Sequence, residues 1–209
     1  DLQGLFRSGI MCWATGATER VGLASAREGA WLFYTQVAND RTSGVTAAVD
    51  RYWKVAELFG AGELGKQFPL QITPEESDWA RQRLAGLPQP ILAVNAGARW
   101  ETKRWPTERF TSIANQAFGS RNGSVVILGG PGEEGIAQSV ESGIEGRSVR
   151  NLAGKTTIRR LAAVLQQCQL LVTNDSGPMH LAAAVGTPTV SIFTCTSPER
   201  AAPHGDGHQ

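Results

Sequence analysis

The sequence predicts an α/β fold with a parallel sheet in its second half, and three observations carry that prediction. Short apolar runs recur from Ile91 onward: ILAVN (91–95), SVVILGG (124–130), QLLVTN (169–174) and TVSIF (189–193). Segments with helical spacing separate them, and this alternation is the pattern of repeated β-α units. Each run then breaks into glycine, proline or short polar residues, the composition of loops at strand ends.

Taken in chain order, VTAAVDRYWKVAELFG (45–60) sets Val45, Val49, Tyr52, Trp53, Ala56 and Phe59 on one helical face and ends at Gly60. A packed amphipathic helix is expected there. After FPLQI, Thr73-Pro74-Glu75-Glu76 combines a capping box with proline at the first helical position, and that helix should stop near Gly86. LPQP then interrupts the pattern before the first strand. Phe110, Ile113, Ala114, Ala117 and Phe118 keep helical spacing, as do Ile158, Leu161, Ala162 and Leu165 after Thr157 as N-cap. In the last unit Ser176 or Gly177 can cap a helix, Pro178 suits its first turn and Gly186 can end it. The domain boundary therefore falls in the helix-and-proline segment: 1–73 as part of a first domain, 74–87 as helix and linker, 88–209 as a Rossmann-like second domain.

With 209 residues and 41% hydrophobic content the chain can bury the core of one or two domains. Lysine and arginine total 20 against 19 acids, so no overall basic field points to nucleic acid. Cys12, Cys168 and Cys195 are odd in number and form no C-x-x-C pair, which disfavours a disulfide framework or zinc site and fits a reducing cytosol. No apolar run approaches the ~18 residues of a membrane span, and no signal-peptide pattern is present. The chain opens on Asp1 rather than Met, and a fragment is expected.

In parallel α/β sheets ligands bind beyond the carboxyl ends of strands, where loops gather and helix N-termini present free N–H groups. TNDSGPMH (173–180) lies at such a place. Its helix dipole favours an anion, His180 in the first turn can donate to phosphate, and Asp175 is assigned to a sugar hydroxyl or to orienting donors. NAGARWETKRWP (95–106) follows a strand with Gly97, which permits close backbone approach, and crowds Arg99, Lys103 and Arg104 beside Trp100 and Trp105, a composition suited to phosphate. ILGGPGEE (127–134) leaves room for a base or ribose, with Glu133 able to bond hydroxyls. Each loop alone also reads as a plain cap, basic turn or helix start. Three of them on one sheet point to a nucleotide diphosphate. AGKT (153–156) is not a P-loop, because Val149 stands where that motif needs glycine.

GARWETKRWPTERF, ILGGPGEE and TNDSGPMHLAAAVGTPTVSIF, in this order, resemble glycosyltransferase family 9, the lipopolysaccharide heptosyltransferases. DLQGLFRS and REGAWLFYT are similar to the family's first domain, so the resemblance covers nearly the whole chain. It implies an α/β fold of GT-B type, with two Rossmann-like domains, the first incomplete here. It also implies transfer of heptose from ADP-heptose to the lipopolysaccharide inner core, with inversion and without a metal or other cofactor. Lys103 matches the lysine that contacts donor phosphate and stabilises the leaving diphosphate, an electrostatic catalytic role. The donor-binding positions are then Gly97, Thr102, Lys103, Glu133, Asp175, Ser176, Gly177 and His180. Arg7 and Arg27 are candidates for an anionic acceptor.

The expected partners are a nucleotide-sugar donor and a lipopolysaccharide precursor at the inner membrane surface, with no nucleic acid and no transmembrane segment. The expected location is the cytoplasm, with peripheral association at that membrane. The family carries a Gly-Asp loop ahead of the equivalent of Asp1 that supplies the general base, and it continues past SPERAAPHG. The base is thus expected to be absent from this chain, and residues 1–209 alone to transfer little sugar. Two other readings stay open on fold alone: another nucleotide-sugar enzyme, epimerase-like, or a non-catalytic nucleotide-binding module.

Overall fold

A computed structural model describes residues 1–41, 46–62, 64–118, 122–205 and 207–209. The chain divides into two compact units. One is Asp1–Gln67 with Glu199–Ala201, and the other is Phe68–Pro198 with Ala202–Gln209.

In the first unit, helix α1 (Phe6–Ala14) precedes two short parallel strands, β1 (Val21–Leu23) and β2 (Gln36–Ala38), and helix α2 (Ala48–Leu58) follows. Gly22 is required in β1 because the ring of Tyr34 lies across it: a Cβ there would fall 2.0 Å from that ring. Buried Asp40 is held by the Ser25 N–H at 2.8 Å and by Arg51 Nε at 2.9 Å. The helix expected over 45–60 is present as α2, with Val45 outside the described residues. Its apolar stripe is not packed as expected. None of its residues is fully buried, Tyr52 is 41% exposed and the capping Phe59 64% exposed. A two-stranded sheet offers too little surface to cover an eleven-residue helix.

The second unit begins with helix α3 (Pro74–Leu84), whose Thr73 and Glu76 form the capping box and whose end is followed by Gly86 at φ 78°. This helix packs into the second unit's core through Ala80 and Leu84, while Trp79 lies against the guanidinium groups of Arg83 and Arg160. Then come β3 (Ile91–Asn95), α4 (Thr107–Gln116), β4 (Ser124–Ile127), α5 (Glu134–Ser142) and β5 (Ser148–Asn151). The series continues with α6 (Ile158–Leu165), β6 (Leu170–Asn174), α7 (Gly177–Ala184) and β7 (Thr189–Ile192). Strand β5 has no counterpart among the apolar runs. SVRN lies at one edge of the sheet with no buried residue, so it lacks the apolar content that marks the inner strands.

All five strands are parallel, in the order β5-β4-β3-β6-β7. Alternate residues feed two cores. Ile91, Ala93 and Leu171 meet α3, α6 and α7 on one face, and Leu92, Val94 and Val172 meet α4 and α5 on the other. The chain winds outward from β3 to β5, then returns to lay β6 against β3. That reversal leaves the carboxyl ends of β3 and β6 side by side with their loops diverging, the place where open α/β sheets bind ligands.

Candidate functional site

Two buried asparagines close the strands at this switch point. Asn174, which ends β6, donates from Nδ2 to the Ala96 carbonyl at 2.8 Å and accepts from the Trp105 N–H at 3.0 Å. Both ends of the 96–105 loop are thereby tied to β6. Asn95, which ends β3, donates to the Gly97 carbonyl at 3.1 Å, and its Nδ2 lies 3.3 Å from the hydroxyls of Thr173 and Ser176. Within the loop, Arg104 Nε donates to the Ala98 carbonyl at 2.8 Å, and Trp105 meets Phe110 edge to face at 5.5 Å. The basic loop is consequently a braced structure rather than a solvated turn.

A cleft of about 270 Å³ opens above these ends, lined by all three loops singled out in the sequence: Gly97 to Arg99, Gly129 to Pro131 with Glu133, and Ser176 to Pro178. Glu133 Oε2 accepts from the Gly130 N–H at 2.7 Å, so this carboxylate fastens its own glycine turn. It also lies against Gly97, where an added Cβ would meet the Glu133 carboxylate at 2.3 Å. Gly97→Ala is therefore expected to push that carboxylate off Gly130 and into the cleft. Affinity for a ligand held in this cleft should fall roughly tenfold, the scale of one charge-assisted hydrogen bond, with little change in melting temperature. Titration calorimetry beside a thermal melt checks this, and unchanged affinity would separate Glu133 from the binding surface.

Ile158 belongs to this cleft as well. Its helical spacing groups it with Leu161, Ala162 and Leu165, yet it is 73% exposed and lines the cleft with Pro131, Leu161 and Pro178. At the first position of α6 the helix has only begun to cover the sheet, so a residue in phase with the core still faces outward. The resulting apolar wall suits a flat base. Thr157 caps α6 as expected, accepting from the Arg160 N–H at 3.3 Å. Ser176 takes the N-cap position of α7, but its hydroxyl donates to the Asn174 carbonyl at 3.2 Å and does not cap. The first-turn N–H groups of α7 are thus not taken by their own cap side chain.

Beside the cleft, Lys103 and Asp175 form an ion pair, with Nζ 2.6 Å from Oδ2. The same Oδ2 accepts from the Thr196 hydroxyl, also at 2.6 Å. Burial pushes the Asp175 carboxyl up, but the Lys103 and Thr196 hydrogen bonds and the nearby Lys103 and His180 charges outweigh it, so the group stays below the usual carboxylate range. His180, exposed in the first turn of α7, is shifted down by desolvation of its ring and by the Lys103 charge, against the opposing pull of Asp175. A neutral imidazole at physiological pH follows, able to donate one hydrogen bond without adding charge.

Of the residues expected to bind donor, Gly97, Glu133, Ser176 and Gly177 line the cleft, while Lys103, Asp175 and His180 form the adjoining charged cluster. Thr102 lies exposed on the same loop, and its carbonyl accepts from the Thr194 hydroxyl at 2.6 Å. Arg7 and Arg27 are both exposed. Arg27 lines a separate cavity of about 570 Å³ in the first unit with Arg41 and Arg51, and Arg7 does not. Asn95, Asn174, Ile158, Thr194 and Thr196 carry no role in the sequence reading. The polar residue ending each of ILAVN and LLVTN was the one local signal for the asparagines.

Comparison with known proteins gives this geometry a context. The sequence profile of glycosyltransferase family 9 (heptosyltransferase) matches residues 1–208. The chain is 27% identical to the lipopolysaccharide core heptosyltransferase OpsX of Haemophilus influenzae over 99% of its own length and 59% of that protein's. A crystal structure of a family 9 glycosyl transferase from Veillonella parvula superposes with a TM-score of 0.82 at 27% identity, covering 97% of this chain and 58% of that one. The Escherichia coli heptosyltransferase WaaC with ADP gives a TM-score of 0.69 at 25% identity, covering 99% and 63%. The chain thus spans less than two thirds of these relatives, and its α/β fold is of the GT-B type that they share. With the profile match running across both units and the three strand-end loops converging on one cleft, the chain belongs to glycosyltransferase family 9, the heptosyltransferases.

Proposed function

We propose that this chain carries the donor-binding part of an inverting, metal-independent transferase that moves heptose from ADP-heptose to the lipopolysaccharide inner core. The observation that carries the reading is the Lys103–Asp175 pair standing beside a cleft built from three loops at the sheet's switch point. In this reading the base rests against the apolar wall at Ile158, and the diphosphate meets the first turn of α7 with His180. Lys103 then neutralises the charge that builds on the diphosphate as the glycosidic bond breaks, and Asp175 takes a sugar hydroxyl while holding Lys103. The similar WaaC structure is one with ADP, which supports a nucleotide as the ligand.

The acceptor is assigned to the first unit, with Arg27 and Arg7 as its candidate anion contacts. Its chemistry implies work at the cytoplasmic face of the inner membrane. Among the described residues no helix is long and apolar enough to cross a membrane.

Titration of residues 1–209 with ADP tests the site. His180→Ala is expected to weaken binding roughly tenfold, the scale of losing one helix-terminus contact. Hydrogen exchange should show ADP protecting amides in 96–99, 129–133 and 175–180. If ADP leaves these amides unprotected, the nucleotide site lies elsewhere.

A further inference from the structure

The segment after β7, Phe193 to Ser197, carries no role in the donor reading, yet it touches the Lys103 cluster twice. The Thr194 hydroxyl donates to the Thr102 carbonyl at 2.6 Å, on the 3₁₀ turn Glu101–Lys103. The Thr196 hydroxyl donates to Asp175 Oδ2 at 2.6 Å. The backbone bends over residues 194–196, and both threonine hydroxyls meet the cluster, so one short segment grips both partners of the ion pair: the loop that carries the lysine and the carboxylate that receives it.

We propose that Thr196 is a positioning residue for the transfer chemistry, fixing the Asp175 carboxylate so that the Lys103 ammonium is held in one place, with Thr194 securing the lysine's turn. The inference rests on the donor-site reading given above. A lysine side chain has four rotatable bonds and a compact charge, so it contributes little directed stabilisation unless a fixed partner limits where its ammonium sits. Asp175 is that partner, and it needs a fixed rotamer of its own. Its carboxylate is 6% exposed, and both hydrogen bonds converge on a single oxygen. An electrostatic contribution to catalysis depends on donors already in place when charge develops. Removing Thr196 should therefore act on turnover, and much less on the binding of the ground state.

The groups facing Asp175 are Lys103 from the loop after β3, Thr196 from the segment after β7, and His180 from α7. Loss of the Thr196 hydroxyl takes away one contact that favours the charged carboxylate and leaves the other two.

The test compares Thr196→Val, Thr196→Ser and wild type on two readouts. The first is the titration midpoint of the Asp175 carboxyl by carbon-13 NMR in residues 1–209 without ligand. The midpoint should rise in Thr196→Val and return toward wild type in Thr196→Ser. The second is steady-state transfer from ADP-heptose by a transfer-competent enzyme containing this chain. Thr196→Val should lower kcat roughly tenfold, about the effect of one charge-assisted hydrogen bond, with KM for the donor within about threefold and the serine variant restored. Should Thr196→Val fail to fold, Thr196→Ala is read in the same two ways. An Asp175 midpoint equal to wild type in the variant lacking the hydroxyl would overturn the proposal, as would a change in KM alone. Absence of transfer in the wild-type enzyme would instead remove the heptosyltransferase reading, and the ligand-free titration would still decide whether Thr196 holds Asp175.

Discussion

Lys103→Ala is expected to lower kcat for heptose transfer by roughly 10²–10³, the range for losing one preorganised electrostatic donor, while donor affinity changes little. Charge accumulates on the diphosphate only as the bond to the sugar breaks, so an ammonium at that place stabilises the transition state more than the bound substrate. Steady-state kinetics in a transfer-competent enzyme containing this chain separates the cases, and a rise in KM with kcat intact would make Lys103 a plain binding residue. One confounding effect must be removed. Lys103 is the ion-pair partner of a carboxylate that is almost wholly enclosed, and truncating it leaves that charge with Thr196 and His180 alone.

Asp175 is held below its ordinary pKa, so its contribution to stability is present above the unfolded value near 3.9. That contribution is lost as pH falls through the lower folded value. Without Lys103 the folded pKa rises, and the stabilisation at neutral pH shrinks. The double variant Lys103→Ala/Asp175→Asn removes the stranded charge. If it recovers melting temperature but its kcat stays below that of Asp175→Asn alone, the lysine's catalytic effect is separate from its role in the pair.

Phe110→Ala is expected to destabilise the second unit by about 3–5 kcal/mol, the range for truncating a fully enclosed aromatic side chain. Phe110 is 0% exposed and sits in the core between α4 and the sheet with Leu92, Val94 and Ile127. For a unit of this size that is a fall in the melting temperature of roughly 10 °C or more. The effect should reach the site too. Trp105 rests edge-on against Phe110, and the Trp105 N–H is one of the two anchors holding the Lys103 loop to Asn174. Hydrogen exchange should show faster amides in 99–105 even at temperatures where the unit stays folded. Exchange confined to α4 would show that the loop does not depend on this contact. Phe110→Leu, which keeps most of the volume, is expected to lose less than half as much.

Local pattern carried much of this molecule. Inner strands buried on both faces must be apolar throughout, and so ILAVN and LLVTN stand out from any polar background. A capping box and a proline at the first turn are short-range chemistry, and so α3 starts at the expected residue. The three glycine-bearing loops were legible because close backbone approach restricts residue choice at single positions. Family membership could be read for the same reason, as it rests on those loops in their order.

What needed the folded chain is what joins residues far apart. Lys103 meets Asp175 across 72 positions, Asn174 meets Ala96 across 78, and Thr194 meets Thr102 across 92. No periodicity links such pairs, because a parallel sheet brings strand ends together through its order, here β3 beside β6, and strand order has no signature within a single strand. Edge position hid β5, which sets only Val149 against the core and is otherwise polar. Ile158, in helical spacing with Leu161 and Leu165, stands as a cleft wall for a related reason. Helical spacing fixes the phase of a side chain, but whether that face is covered depends on where the helix starts above the sheet.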